Sequence, residues 1–155
     1  IKKLQMVFDE GLYDPANEPD IAYAHLFSYF RGEEWRTQKE TQRLLDKYFT
    51  TKPNGIPGND DTGTMSAWAI FNMIGFYPDC PGLPEYTLTT PVFNKVTIRL
   101  DPKWYKEKEL VIESNRTQPG TLYINKVLLN GKKFNQYRIT HDELVHSQRI
   151  LFDLK

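Results

Sequence analysis

The sequence predicts an α+β chain, helical over its first half and strand-built over its second. Three observations predict it. Apolar residues recur at helical spacing up to about residue 80. From Leu83 onward they alternate with polar residues instead. Pro81, Pro84 and Pro91 punctuate the chain where the period changes. The expected organisation is a helical part over 1–80 and an antiparallel β module over 81–155. About five to seven strands, arranged as a sandwich, would fill the second part.

The helices follow in order. Pro15 to Pro19 reads as a turn-rich loop. Beyond it, Tyr23, Leu26, Phe27 and Phe30 fall on one α-helical face, with Asp20 as the cap and Arg31-Gly32 as the stop. Thr37-Gln38-Lys39-Glu40 has the form of a capping box and opens a second helix with Thr41, Leu44, Leu45 and Tyr48 inward. Pro53-Asn54-Gly55 ends it. A third helix, about Thr64 to Ile74, is apolar nearly all round, which predicts burial on most sides. Three such helices do not bury one another. The helical half therefore reads as the end of a larger helical domain.

The strands expected are Tyr86 to Thr89, Val92 to Leu100, Leu110 to Glu113, Thr121 to Leu129 and Ile150 to Leu154. Asn130-Gly131 is a hairpin turn signal. Ile139 to Leu144 reads as a short helical turn.

Composition narrows the function classes. Formal net charge is zero, with 26% charged and 39% apolar residues. That argues against nucleic acid or an anionic membrane as main partner, because both reward a basic excess. No stretch reaches the roughly 18 to 20 apolar residues of a membrane span. Aromatics stand at 14%, enough to fill a core or to line a site that stacks sugars or bases. The single cysteine, Cys80, forms no intrachain disulfide. The chain opens on Ile1-Lys2-Lys3 without an initiator Met or a signal peptide, and is expected to be a piece of a longer polypeptide.

Two polar loops carry the candidate chemistry. Gly58-Asn59-Asp60-Asp61 stands just before the third helix. The partial positive charge and free N–H groups of a helix start favour ionised carboxylates. Asp60 and Asp61 therefore suit a general base or a ligand for a hard cation, and suit a general acid poorly. Gly55, Gly58 and Gly63 allow tight turns and close approach of a ligand. Residue types alone favour a plain helix cap over a site by about two to one. An EF-hand is excluded, since position twelve counted from Asn59 is Ile70 rather than Glu. The second loop is Asn17-Glu18-Pro19-Asp20. If both loops meet at one rim, Glu18 and Asp61 face one cavity; otherwise Asp20 caps and Glu18 is solvated.

Other candidates carry less. His25 sits mid-helix, where a packing role is commoner. His141 and His146 have no metal-ligand spacing. Trp35, Trp68 and Trp104 read as packing residues, with Trp68 nearest the acidic loop. Asn115-Arg116-Thr117 forms a glycosylation triplet of low specificity.

These stretches carry a resemblance. "GIPGNDDTGTMSAWAIFNMIGFYPDCPG" is similar to the signature near the C-terminal end of glycoside hydrolase family 92, the calcium-dependent exo-acting α-mannosidases. "YDPANEPDIAYAHLFSYF" resembles that family's Gly-Asn-Glu-Pro helix start, with Ala16 in place of Gly. "WRTQKETQRLLDKYF" and "LNGKKF" with "ITHDEL" extend the resemblance over essentially the whole chain. It implies the last helices of an (α/α)6 barrel followed by a small antiparallel β-sandwich-like module. It implies an inverting hydrolase acting on terminal α-mannosides of glycans, with α-1,2 one of the linkages open beside α-1,3, α-1,4 and α-1,6.

By resemblance Asp61 is the general base and Asp60 an extra supporting carboxylate. Asn59 stands where the family usually carries an aspartate. Asn17 and Glu18 match residues that line the terminal-sugar pocket. Ca2+ is the implied cofactor, with Asn59 and Asp61 as its ligands here. The implied partners are mannose-containing glycans and the N-terminal remainder of the same protein, exported in bacteria. The general acid is expected upstream, which would leave this chain inactive alone. A different class stays open: a non-catalytic carbohydrate-binding or structural module. So does another (α/α)6 glycosidase or phosphorylase.

Overall fold

The computed structural model describes residues 1–155. Four α-helices, α1 (Lys2–Asp9), α2 (Glu34–Tyr48), α3 (Thr64–Ile74) and α4 (His141–Val145), accompany eight strands. Helix α1 has no counterpart among the sequence expectations. Its Leu4, Val7 and Phe8 are spaced for one face, and Phe8 is buried against Tyr13 and Phe27.

The helix expected after Asp20 is a correction. The chain there forms two 3₁₀ segments, Glu18–Asp20 and Tyr23–Tyr29. With three residues per turn, the rows run i to i+3. Ala24 and Phe27 form the buried row, while Leu26 and Tyr29 form an exposed one. Phe30, expected inward, is exposed. Asp20 does not cap a helix: its carboxylate accepts the Asp14 N–H at 3.1 Å and folds the preceding loop.

Helix α2 begins at Glu34, one turn before the capping-box sequence, so Thr37 to Glu40 lie inside it. Buried Glu40 instead pairs with Arg43 at 2.7 Å and accepts from Gln5 at 3.0 Å, which ties α1 to α2. Helix α3 runs over its expected span and stops at Gly75. Gly75 has φ +115°, and an added Cβ would lie 2.8 Å from Pro91 Cγ, so glycine is needed there twice over.

The strands are β1 (Phe76–Tyr77), β2 (Glu85–Leu88), β3 (Lys95–Arg99), β4 (Glu109–Arg116), β5 (Ile124–Leu129), β6 (Lys132–Phe134), β7 (Arg138–Thr140) and β8 (Arg149–Leu154). They form a three-stranded sheet, β1-β2-β7, and a five-stranded sheet, β3-β4-β8-β5-β6. The expectation of a purely antiparallel module is corrected by β4 and β8, which pair in parallel. Asn130-Gly131 makes the β5–β6 hairpin, both residues left-handed as the turn requires. Helix α4 carries the capping box that α2 lacks, between Thr140 and Glu143.

Two apolar clusters result. One combines both sheets, with Phe76, Leu88 and Ile139 against Leu110, Ile112, Ile150 and Phe152. The other lies among the helices around Phe8, Phe27, Leu44 and Trp68. Phe71 of α3 packs against both. Polar bonds fix the join: Gln38 Oε1 accepts the Ile124 N–H at 2.9 Å, and the Thr89 hydroxyl donates to the Asn72 carbonyl at 3.2 Å. Arg138 adds a further tie, pairing with Asp79 and Glu85 while its guanidinium lies 4.3 Å from the Tyr29 ring centre.

Candidate functional site

The two polar loops meet. Gly58 at φ +68° packs so closely on the other loop that an added Cβ would lie 3.0 Å from Ala16 Cβ. The close approach this glycine permits is thus to Ala16, within the protein. The Thr64 hydroxyl lies 3.1 Å from Glu18 Oε1, across 46 residues of sequence. Behind the loops, Trp68 Nε1 donates to the Ile21 carbonyl at 2.9 Å, and His25 Nε2 sits 2.9 Å from Asn72 Oδ1. Helix α3 and the segment bearing Asn17 and Glu18 are therefore fastened at three levels.

Within the acidic loop, the carboxylates divide their roles. Asp60 Oδ1 accepts the Ser66 N–H at 2.7 Å, and its Oδ2 accepts the Ser66 hydroxyl at 2.9 Å. Ser66 is the third residue of α3, so Asp60 satisfies one of the free donors of that helix start. The Ser66 N–H, and after it the Ser66 hydroxyl, hold the Asp60 carboxyl below its ordinary pKa. The capping that residue types favour is real, and Asp60 performs it.

Asp61 is left over. It is exposed, and its carboxylate makes no side-chain hydrogen bond. Its backbone is constrained: Asp60 at φ +51° and Thr62 at φ +50° flank it. These are two of the three non-glycine residues with positive φ in the chain, and Thr62 is β-branched. Each such residue costs on the order of 1–3 kcal/mol and persists where surrounding structure enforces it, a pattern that clusters at functional sites. Asn59 is also exposed and forms no side-chain bond. Alternate residues of the loop, Asn59 and Asp61, thus keep open oxygens while the one between them is tied down.

Glu18 is exposed, and its carboxylate has the Thr64 hydroxyl as its one protein partner. Asn17 turns its amide toward Asp20 at 3.4 Å. No group of three or more His, Cys, Asp or Glu side chains is placed to hold a metal ion. Chemically the site offers a free carboxylate, a second one on the loop packed against it, and an amide oxygen. It can take a proton from water, accept bonds from hydroxyl groups, or supply some of the oxygens around a hard cation.

The remaining candidates fall elsewhere. His25 is fully buried and stacked on Tyr77 at 4.5 Å, a packing residue. His141 lies between the Tyr86 and Tyr105 hydroxyls, at 2.9 and 3.3 Å. Trp68 is core, and Trp104 is 71% exposed at a β-module turn. Arg116, inside the glycosylation triplet, donates to the Pro91, Val92 and Thr121 carbonyls. Sequence reading missed Thr62, Thr64 and Ser66. A serine six residues after an aspartate carries no recognised signal, and left-handed φ at a threonine is the opposite of what its branching favours.

Residues 1–155 match the family model of the glycosyl hydrolase family 92 catalytic domain. The chain is 28% identical, over 142 residues, to an uncharacterized secreted glycosidase of Arthroderma benhamiae, covering 92% of this chain and 18% of that protein. It is similar to the solved structure of a family 92 α-mannosidase from Bacteroides thetaiotaomicron, with a TM-score of 0.90 and 31% identity over 99% of this chain and 21% of that one. A family 92 inverting mannosidase from the same organism matches with a TM-score of 0.81 and 33% identity, covering 97% of this chain and 20% of that one. The chain thus spans about a fifth of the length of these relatives.

Proposed function

The chain belongs to glycosyl hydrolase family 92, and from that premise we propose that it supplies the base-bearing wall of an inverting exo-α-mannosidase active site. The observation that carries the proposal is the division within the acidic loop. Asp60 is bound to the α3 start through both oxygens, while Asp61 stands exposed and unengaged between two strained residues, beside the Glu18 loop.

Inverting hydrolysis needs two carboxyl groups, about 6.5–9.5 Å apart. One protonates the departing glycosidic oxygen. The other takes a proton from a water that attacks the anomeric carbon from the opposite face. Asp61 fills the second role. Asp60 cannot, because proton acceptance there would break its bonds to Ser66. Asn59 has no carboxylate, and its amide oxygen orients water or meets a cation. Asn17 and Glu18 bind hydroxyls of the terminal sugar. The name of the Bacteroides relative supports inversion and mannose, and that of the fungal relative supports placement outside the cytoplasm.

Ca2+ takes six to eight oxygen ligands. The donors here fit its hard character, through the open oxygens of Asn59 and Asp61, but supply only part of the shell. Sugar hydroxyls and residues beyond this chain would complete it. Bound there, the ion would fix the orientation of the terminal sugar's hydroxyls.

The test compares Asp61→Asn with Asp60→Asn in the full-length protein on an aryl α-mannoside, with α-1,2 disaccharides the first natural linkage to assay. Asp61→Asn is expected to lower kcat by about 10²–10⁴ with an unchanged melting temperature. Asp60→Asn is expected to lower the melting temperature, because it removes the negative charge from the α3 start and one of the two oxygens that accept from Ser66. Full turnover by Asp61→Asn, or loss of folding in its place, would point to a non-catalytic module.

A further inference from the structure

We infer that Thr64 is the positioning residue that couples Glu18 to Asp61, a role that rests on the function just proposed. Three donors converge on the Asp61 carbonyl: the Thr62 hydroxyl at 2.8 Å, the Thr64 hydroxyl at 2.6 Å and the Thr64 backbone N–H. A carbonyl oxygen has two lone pairs. One donor is therefore in surplus. The Thr64 backbone N–H is fixed by the turn, whereas the Thr64 hydroxyl has a second acceptor in reach, Glu18 Oε1 at 3.1 Å.

A hydroxyl carries one proton and donates one bond at a time. Thr64 thus divides its proton between the peptide that aims Asp61 and the carboxylate expected to grip the sugar. Thr62 and the backbone N–H keep Asp61 in place whenever Thr64 turns to Glu18. The bond to Glu18 is charge-assisted and stronger than an ordinary hydroxyl bond. It fixes one carboxylate oxygen of Glu18 and leaves the other for a sugar hydroxyl. No other protein side chain bonds to Glu18, so its direction depends on Thr64.

The test uses Thr64→Val and Thr64→Ser in the full-length protein, beside Asp61→Asn, with kcat, KM and melting temperature measured on an aryl α-mannoside. Valine keeps the shape and removes the donor; serine keeps the donor. Thr64→Val is expected to raise KM and lower kcat together, for a loss of about ten- to a hundredfold in kcat/KM. Thr64→Ser is expected to stay within about threefold of wild type. Melting temperatures should differ little, since the side chain is part-exposed. Wild-type kcat/KM in Thr64→Val, beside an inactive Asp61→Asn, overturns the Thr64 role alone. A serine variant as impaired as the valine one overturns it too, since the hydroxyl would then not matter. An active Asp61→Asn overturns the base assignment while leaving a Thr64 effect readable. A full-length protein without α-mannosidase activity overturns both.

Discussion

Thr62 is the least comfortable residue of the chain. Its branched Cβ meets its own backbone at φ +50°, where glycine is at ease. Ordinary selection for stability would remove it. Its hydroxyl on the Asp61 carbonyl gives a reason to keep it. Thr62→Gly is therefore expected to stabilise the full-length protein by about 1 kcal/mol, read as a higher melting temperature. The same change leaves the Asp61 carbonyl to the two Thr64 donors and so draws the Thr64 hydroxyl away from Glu18, and kcat/KM should fall. Thermal melting and initial rates on one preparation of the full-length protein check both halves; a lower melting temperature would show that Thr62 is not strained. At this scale the sequence revealed the acidic loop but not its division of labour. Two adjacent aspartates look alike in one dimension. What separates them is the left-handed turn at Asp60, which swings its carboxylate onto Ser66, and by residue type either aspartate could have taken that turn.

Among the elements, the decisive contact is between the 3₁₀ helix Tyr23–Tyr29 and α3, because one follows Glu18 and the other follows Asp61. His25 makes it, with Nε2 on Asn72 and no partner for Nδ1. Burial pushes the His25 pKa below its ordinary value, and the bond to Asn72 offsets only part of that. Below about pH 6.5 the unfolded chain takes up a proton at this histidine that the folded chain refuses. Stability is therefore expected to fall as pH drops through that value and to level once pH lies below the folded pKa. His25→Phe keeps a ring to stack on Tyr77 and should lose this share of the slope. Melting curves from pH 8 to pH 5 for both proteins check it; parallel slopes would mean that His25 takes up its proton equally in the folded and unfolded states. Element identity was mostly legible, since α3, β2 to β5 and β8 follow apolar period and the β5–β6 turn follows Asn-Gly. The 3₁₀ segment was not. Tyr23, Leu26, Phe27 and Phe30 fit an α-helical face equally well, and the anchors Trp68 and Asn72 that tighten the segment lie more than 40 residues away. The parallel β4–β8 pair was hidden for a similar reason, because alternation gives a strand its faces but not its neighbours.

On the scale of the whole molecule, the β half closes on itself and the helical half does not. The two sheets bury one shared cluster. The helices leave apolar grooves open, one of ≈ 390 Å³ walled by Ile1, Leu4, Leu26, Tyr29 and Phe30, and one of ≈ 270 Å³ beside Ile56, Ile70 and Met73. Ile70, on the helix expected to be buried all round, is 53% exposed. Contiguous apolar surface of this kind marks an interface, and relatives about five times longer offer the chain to cover it. The same incompleteness bears on catalysis. On the proposed assignment of Asp61 as base and Glu18 on the sugar, the other carboxylates shown bonded in the two loops are already engaged, Asp60 on Ser66 and Asp20 on Asp14 and Asn17, which leaves neither free to protonate the leaving oxygen. The purified 155-residue chain is therefore expected to show no turnover of an α-mannose disaccharide under conditions where the full-length protein is active, a difference of at least about 10² for want of the acid alone. An aryl substrate with a good leaving group sharpens the comparison, because it needs the acid least. Residual turnover by the chain on that substrate but not on a disaccharide would locate the missing group as the acid; equal turnover on both would mean that the acid lies within these residues.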